Sequence, residues 1–207
     1  MFSVFLAVAH CEQMALTNTP KNEQENTTMS TISGRSEVLD AIKNRSSIRK
    51  YQDTPISDEE IHVLLEAAMY APSALNLRPW HFIVIKNRDI LEKISHQHNL
   101  IKMLKDAPAG ILICATPEVQ EKFPYAKGFY QQDCSCCAQN ILLQASSMGL
   151  GACWCSIYPK EDATKAVSEI MNLPANEIPF CIIALGHPNE KSEGRGFYEE
   201  DKVKWVR

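Results

Sequence analysis

Arg45-Ser46-Ser47-Ile48-Arg49-Lys50-Tyr51, followed by Ala71-Pro72-Ser73-Ala74-Leu75-Asn76-Leu77-Arg78-Pro79-Trp80, is the pair of segments on which the reading of this chain turns. The first gathers two guanidiniums, an ammonium and two hydroxyls within six residues. Arginine grips a phosphate monoester through a rigid two-pronged fork, and serines add short donors. The competing reading is a basic cluster that only satisfies the last carbonyls of a helix and its dipole. In the second segment Pro72 and Pro79 stiffen a loop that carries Ser73 and Asn76. The amide of Asn76 both donates and accepts, so such a loop suits the polar edge of a heterocycle.

Working outward, periodicity and punctuation place these segments between regular elements. Ser36-Glu37 open an apolar-periodic stretch, Val38 to Ile42, that reads as a first helix delivering Arg45 at its C-terminal end. Ser57-Asp58-Glu59-Glu60 has the pattern of a capping box and starts a helix through Ile61, Leu64, Leu65 and Ala68, which Pro72 stops. Short apolar runs at His81 to Ile85, Gly110 to Ala115, Gly151 to Ile157 and Phe180 to Leu185 read as strands. Helices are expected near Ile90 to His96, Lys127 to Met148 and Glu161 to Met171. Strands separated by helices imply a layered α/β or α+β domain.

Composition narrows the function classes. A chain of 207 residues is long enough for one sizeable core, and a net charge of −4 argues against a nucleic-acid or anionic-membrane partner. The basic cluster around Arg45 therefore points to a small ligand. Eight cysteines include Cys134, Cys136 and Cys137 on one expected helix and Cys153 and Cys155 around Trp154, spacings that match neither zinc knuckles nor iron–sulfur clusters. Small, reduced core side chains are the alternative, which the family resemblance given below favours, and such thiol usage fits the cytoplasm. His96 and His98, two apart, do not share a helix face, and no metal is expected. Gly149-Leu150-Gly151 follows a helix and lacks the third glycine of a dinucleotide loop. Neither Ser47 nor Ser73 has the context of a hydrolase nucleophile. Phe2 to Ala9 is a poor secretory signal and too short to span a bilayer, while Thr17 to Ser33 is polar enough to stay unfolded. Residues 1–33 are thus expected as a disordered leader and 34–207 as the folded domain with a C-terminal arm.

The order R-S-S-I-R-K-Y, A-P-S-A-x-N-x-R-P-W-H-F, Gln132-Asp133-Cys134, Gln139 to Ala145 and Leu150-Gly151 resembles the nitroreductase family of FMN-dependent oxidoreductases, from about Ser36 to Trp205. The resemblance chooses α+β: a three-layer α/β/α domain with a mixed, mainly antiparallel sheet, working as a homodimer. It implies FMN as cofactor, NADH or NADPH as a transient co-substrate, and a nitroaromatic, quinone or similar small acceptor reduced in ping-pong order. By position it assigns Arg45, Ser46, Ser47 and Arg49, joined by Arg195, to the FMN phosphate and ribityl chain. Pro72, Ser73, Ala74 and Asn76 would meet the ring from the partner subunit, and Trp154, Cys155 and Ser156 would pass its other side. Ser156, with the neighbouring backbone N–H, is the candidate donor to the ring nitrogen N5; the chemistry otherwise belongs to the cofactor. Arg78 stands where many relatives have Gln, and Cys155-Ser156 where a small residue and Gly are frequent, so the acceptor is less defined than the cofactor. The rival readings are a deiodinase-like dehalogenase of the same fold, for which no substrate-gripping lid is visible, and a non-catalytic flavin-binding or stress-response module.

Overall fold

Ser57 and Glu60 close the reciprocal cap that their spacing predicts. In the computed structural model, which describes residues 36–207, Glu60 N donates to Ser57 Oγ at 3.1 Å and Ser57 N donates to Glu60 Oε2 at 2.8 Å. The expected leader, residues 1–33, lies outside the described residues. Residues 40–207 form one unit, and the first helix described, α1, spans Ser36–Asn44. The cap starts α2 (Asp58–Met69), which buries Ile61, Leu64 and Ala68 at helical spacing.

The remaining elements follow in chain order: β1 (Trp80–Ile85), α3 (Arg88–Ser95), a 3-10 segment (Asn99–Asp106), β2 (Ala109–Ala115), the single turn α4 (Glu118–Glu121), α5 (Tyr130–Ser147), β3 (Gly151–Ser156), α6 (Glu161–Met171) and β4 (Ile178–Gly186). The helix expected from Lys127 begins at Tyr130 instead. Gly128, at φ +84°, holds a left-handed conformation that a continuing helix excludes.

The four strands are ordered β1-β2-β4-β3, and every neighbouring pair is antiparallel. The parallel component of the expected mixed sheet shrinks, among the described residues, to one bridge between Ser47 and Ala152. Every residue of β2 is buried, as is all of β4 after Ile178, because both strands are covered on both faces. Ile111, Ile113, Ile183 and Leu185 face α2 and α5, while Leu112, Cys114, Ile182 and Ala184 face α3, the 3-10 segment and α6. Alternation along each strand thus builds two cores around one sheet, and the three-layer α+β expectation holds. At about 1.5–3 kcal/mol for each fully buried Leu or Ile, these two layers dominate the stability of the domain.

Candidate functional site

The R-S-S-I-R-K-Y segment is fixed between β3 and the chain that leaves β4. Arg45 N continues the last turn of α1 by donating to Ala41 O at 3.1 Å, and Ile48 N donates to Ala152 O at 3.0 Å. Ile48 is buried in the core between α3 and the sheet, and Tyr51 Oη returns to Ile48 O at 2.7 Å. Extended alternation then turns Ser47 and Arg49 away from that core. The segment after β4 locks onto the same stretch: Glu190 Oε1 accepts from Arg49 N at 2.5 Å and from Lys50 N at 3.1 Å, and Ser46 Oγ donates to Ser192 O at 3.3 Å. Gly194 lies against the carbonyl of Lys43 so closely that no Cβ fits there. A glycine at 194 therefore permits the contact that carries Arg195 to the end of α1.

These contacts enclose a cavity of about 140 Å³ lined by Arg45, Ser46, Ser47, Arg49, Ser192, Glu193 and Arg195. Arg49 Nη1 is steadied by Ser47 O at 3.3 Å. Among the described residues no carboxylate pairs with any of the three guanidiniums. Three positive charges against Glu193 leave a net positive, hydroxyl-lined recess, the donor set a phosphate dianion needs. The positive field reaches into β3: the Cys153 thiol is drawn below its ordinary value, first by the Cys155 thiol beside it and then, against the effect of burial, by Arg49, Ser47 and Arg45. A larger cavity of about 410 Å³ adjoins the recess, sharing Ser46, Ser192 and Glu193 and adding apolar walls from Ile48, Leu142 and Leu150. An anionic group in the small recess could thus continue into a space with an apolar side.

The second sequence segment does not line either of these cavities within one chain. It forms a separate loop in which Leu75, Asn76 and Arg78 take positive φ values of 51°, 55° and 50°. Ser73 and Ala74 are half-buried, and Pro72 and Asn76 are exposed. Asp133, 6% exposed in the first turn of α5, anchors the loop from below. Its carboxylate accepts from Ala74 N at 3.1 Å and 3.2 Å and from Gln120 Nε2 at 2.6 Å. Ser73 Oγ accepts from Arg78 N at 3.0 Å and closes the loop on itself.

At the third expected position, Trp154 is half-buried and meets Phe180 edge-on with ring centroids 5.9 Å apart. Cys155 points the other way, into the core, with Sγ 3.6 Å from Met103 Sδ, so only its backbone can face a ligand. Ser156 ends β3 with its side chain exposed. The cysteines of α5 behave as core: Cys134 and Cys137 are fully buried, and burial pushes both thiols up, Cys137 to about 12.

Asp133 stands in the family-like pattern without a role assigned from sequence, and Glu190, Ser192 and Glu193 are site residues that the sequence pattern does not mark. An acidic residue in the first turn of α5 was the signal for Asp133, since that position favours negative charge. The tail residues carry no periodicity that would have betrayed them.

Comparison with known proteins identifies the family. A sequence profile described as the nitroreductase family matches residues 42–99 and 95–187. A protein of Methanothermobacter thermautotrophicus, provisionally named NADH dehydrogenase/NAD(P)H nitroreductase, is 47% identical over 172 residues, 82% of this chain and 88% of the relative. Among solved structures, an FMN-dependent nitroreductase from Clostridium difficile matches with a TM-score of 0.73 and 31% identity, covering 82% of this chain and 99% of that one. A provisionally named nitroreductase from Desulfovibrio desulfuricans, crystallised with FMN, matches with a TM-score of 0.69 and 29% identity over 83% of this chain and 98% of that one.

Proposed function

The chain belongs to the nitroreductase family, and from that premise we propose that it is an FMN-dependent oxidoreductase that takes reducing equivalents from NADH or NADPH and delivers them to a nitroaromatic, quinone or similar small acceptor. The observation that carries this reading is the recess holding Arg45, Arg49 and Arg195 with Ser46 and Ser47, three guanidiniums without carboxylate partners among the described residues. When bound, FMN supplies the ring that accepts and returns electrons.

The chain's own residues would bind and orient the cofactor. The recess would hold the phosphate at a fixed point and so set the direction in which the rest of the cofactor extends. Ser73, Ala74 and Asn76, outside both cavities of their own chain, are assigned to the ring edge of a cofactor held by a partner subunit. The backbone of Trp154 to Ser156 lines the ring, with the exposed Ser156 hydroxyl a second donor beside the N–H groups. NAD(P)H and the acceptor take turns at the open face, which is a ping-pong order.

The homodimer in this proposal has structural support. Tyr70, Tyr125, Phe197, Tyr198 and Trp205 are each more than 70% exposed in the single chain, a load of aromatic surface that association would cover. Among the described residues no helix is long and apolar enough to cross a membrane. The free cysteines are the ground on which we assign the enzyme to the cytoplasm. Steady-state oxidation of NADH and NADPH with nitrofurazone or menadione tests the activity, with parallel double-reciprocal plots expected for the order of binding. A purified protein that shows no flavin absorbance even after added FMN would remove the reading, and loaded protein without an acceptor-dependent rate would reduce it to flavin binding. Analytical ultracentrifugation of loaded protein at micromolar concentration is expected to give a dimer.

A further inference from the structure

At the corner of the sheet diagonally opposite the arginine recess, three side chains with metal-binding atoms converge from three separate parts of the chain. His81 on β1 and Cys114 on β2 are direct cross-strand partners, and Glu177 sits in the turn immediately before β4. The imidazole nitrogen, thiol sulfur and carboxylate oxygen all lie within 4.8 Å of one another. The arginine recess lies past the other end of β4, where Tyr51 bridges Pro188, so the two places are separated by roughly 25 Å or more along the strand direction.

The internal contacts of the trio leave it unsatisfied. His81 Nδ1 is 2.9 Å from Glu177 Oε2, close enough for an ion pair, yet the approach does not meet hydrogen-bond geometry and that buried oxygen is left without a donor. A buried acceptor without a partner costs free energy that a cation in the gap would return. Cys114 is fully buried, which rules it out as a nucleophile open to solvent substrates but not as an inner ligand. Glu177 is 16% exposed and His81 41%, so the imidazole side provides the way in.

We propose that His81, Cys114 and Glu177 form a three-ligand site for a zinc-class divalent cation, with the fourth coordination position open to water past His81. One nitrogen, one sulfur and one oxygen suit a borderline-soft ion, whereas magnesium or calcium would call for oxygen alone. Three protein ligands plus water is the open form of a tetrahedral zinc site. Coordination exchanges the thiol proton of Cys114 for the metal, and the proton leaves to solvent. A bound ion would tie β1, β2 and the entry to β4 together on the face that α3 and α6 cover. The local residue pattern could not show this, because the ligands lie far apart in sequence and only strand pairing brings them together.

The test uses the full flavin-loaded chain, dialysed against a chelator and titrated with Zn²⁺ in competition with a chromophoric chelator, then with Co²⁺ to look for thiolate-to-cobalt absorption. The expected result is one zinc per chain and a cobalt–thiolate band. Cys114→Ser should abolish the band and weaken zinc by at least ~100-fold, since loss of an outer-shell partner alone costs about 10- to 100-fold. Glu177→Gln, a near-isosteric change at a partly exposed position, should weaken zinc by ~10-fold or more and keeps the test open if the cysteine variant fails to fold. Flavin absorbance and elution volume report folding in each variant. No zinc uptake by the wild type, or undiminished uptake by a folded variant, would overturn the site.

Discussion

Replacing Arg45 by Ala is the sharpest probe of the proposed phosphate grip. Arg45 is half-buried at the end of α1, while Arg49 and Arg195 are exposed, so Arg45 is the least screened of the three charges around the recess. A hydrogen bond between charged groups contributes about 1.5–3 kcal/mol, and each 1.4 kcal/mol is about tenfold in a dissociation constant. Arg45→Ala should therefore weaken FMN by about 10- to 100-fold. Arg49→Ala and Arg195→Ala should cost less, by about fivefold to tenfold, because water and salt already share the work of an exposed guanidinium. The assay is a fluorescence titration of apo-protein with FMN and, in parallel, with riboflavin, which has the same ring and no phosphate. Only the FMN titration should move. An unchanged FMN dissociation constant, or an equal loss for riboflavin, would show that Arg45 acts on the fold or the ring and not on the phosphate.

Three further outcomes follow from other contacts. Gly194→Ala cannot keep its backbone against the carbonyl of Lys43, so it should displace Arg195 and weaken FMN by about as much as Arg195→Ala, with the melting temperature within a few degrees of wild type. Asp133→Ala strips the carboxylate from Ala74 N and Gln120 Nε2 in a buried place, and calorimetry should show a loss of about 1–3 kcal/mol together with lower flavin occupancy. Ser57→Ala should cost about 1 kcal/mol at pH 7 in urea unfolding. The Glu60 carboxyl is held below its usual range by the Ser57 N–H and hydroxyl, so this stability is present above the unfolded carboxyl pKa of about 4.3 and lost as pH falls through the lowered folded value. The difference between wild type and variant should accordingly shrink under acid, only slightly for so exposed a carboxylate, and a gap that widens in acid would contradict the cap.

What was legible in the sequence was what local chemistry signs. Ser57 and Glu60 announce their cap, and the short apolar runs of β2 and β4 announce strands, although their cover on both faces came only with the structure. The arginine-serine cluster marked the proposed anion site, yet one of its walls is a tail without periodicity, and only family resemblance assigned Arg195 to it. Ser192 and Glu193 reach the recess because Gly194 allows a backbone approach that no pattern of side chains encodes. The 3-10 segment Asn99–Asp106 also went unread, since its buried Ile101 and Leu104, three apart, make too short a stripe to stand out. The zinc-class trio marks the same limit: pairing across strands joins residues that spacing keeps apart.

The loop from Pro72 to Pro79 shows how the fold prepares a site that a single chain leaves open. Leu75, Asn76 and Arg78 all hold positive φ without being glycine, at a cost on the order of 1 kcal/mol or more each. Water on the exposed Leu75 side chain offers nothing in return, so the compensation lies beneath the loop. There the Asp133 carboxylate, placed in the first turn of α5 where the helix favours negative charge, accepts from Ala74 N, and Ser73 Oγ accepts from Arg78 N. Every one of these contacts is internal to the loop and its support, and none needs a ligand. The chain itself thus supports the strained shape, and a cofactor meeting it across a dimer would need less ordering of the loop. If Asp133 is what holds that shape, Asp133→Ala should weaken riboflavin as much as FMN, the reverse of the pattern expected for Arg45→Ala, because the loop is assigned to the ring and the recess to the phosphate.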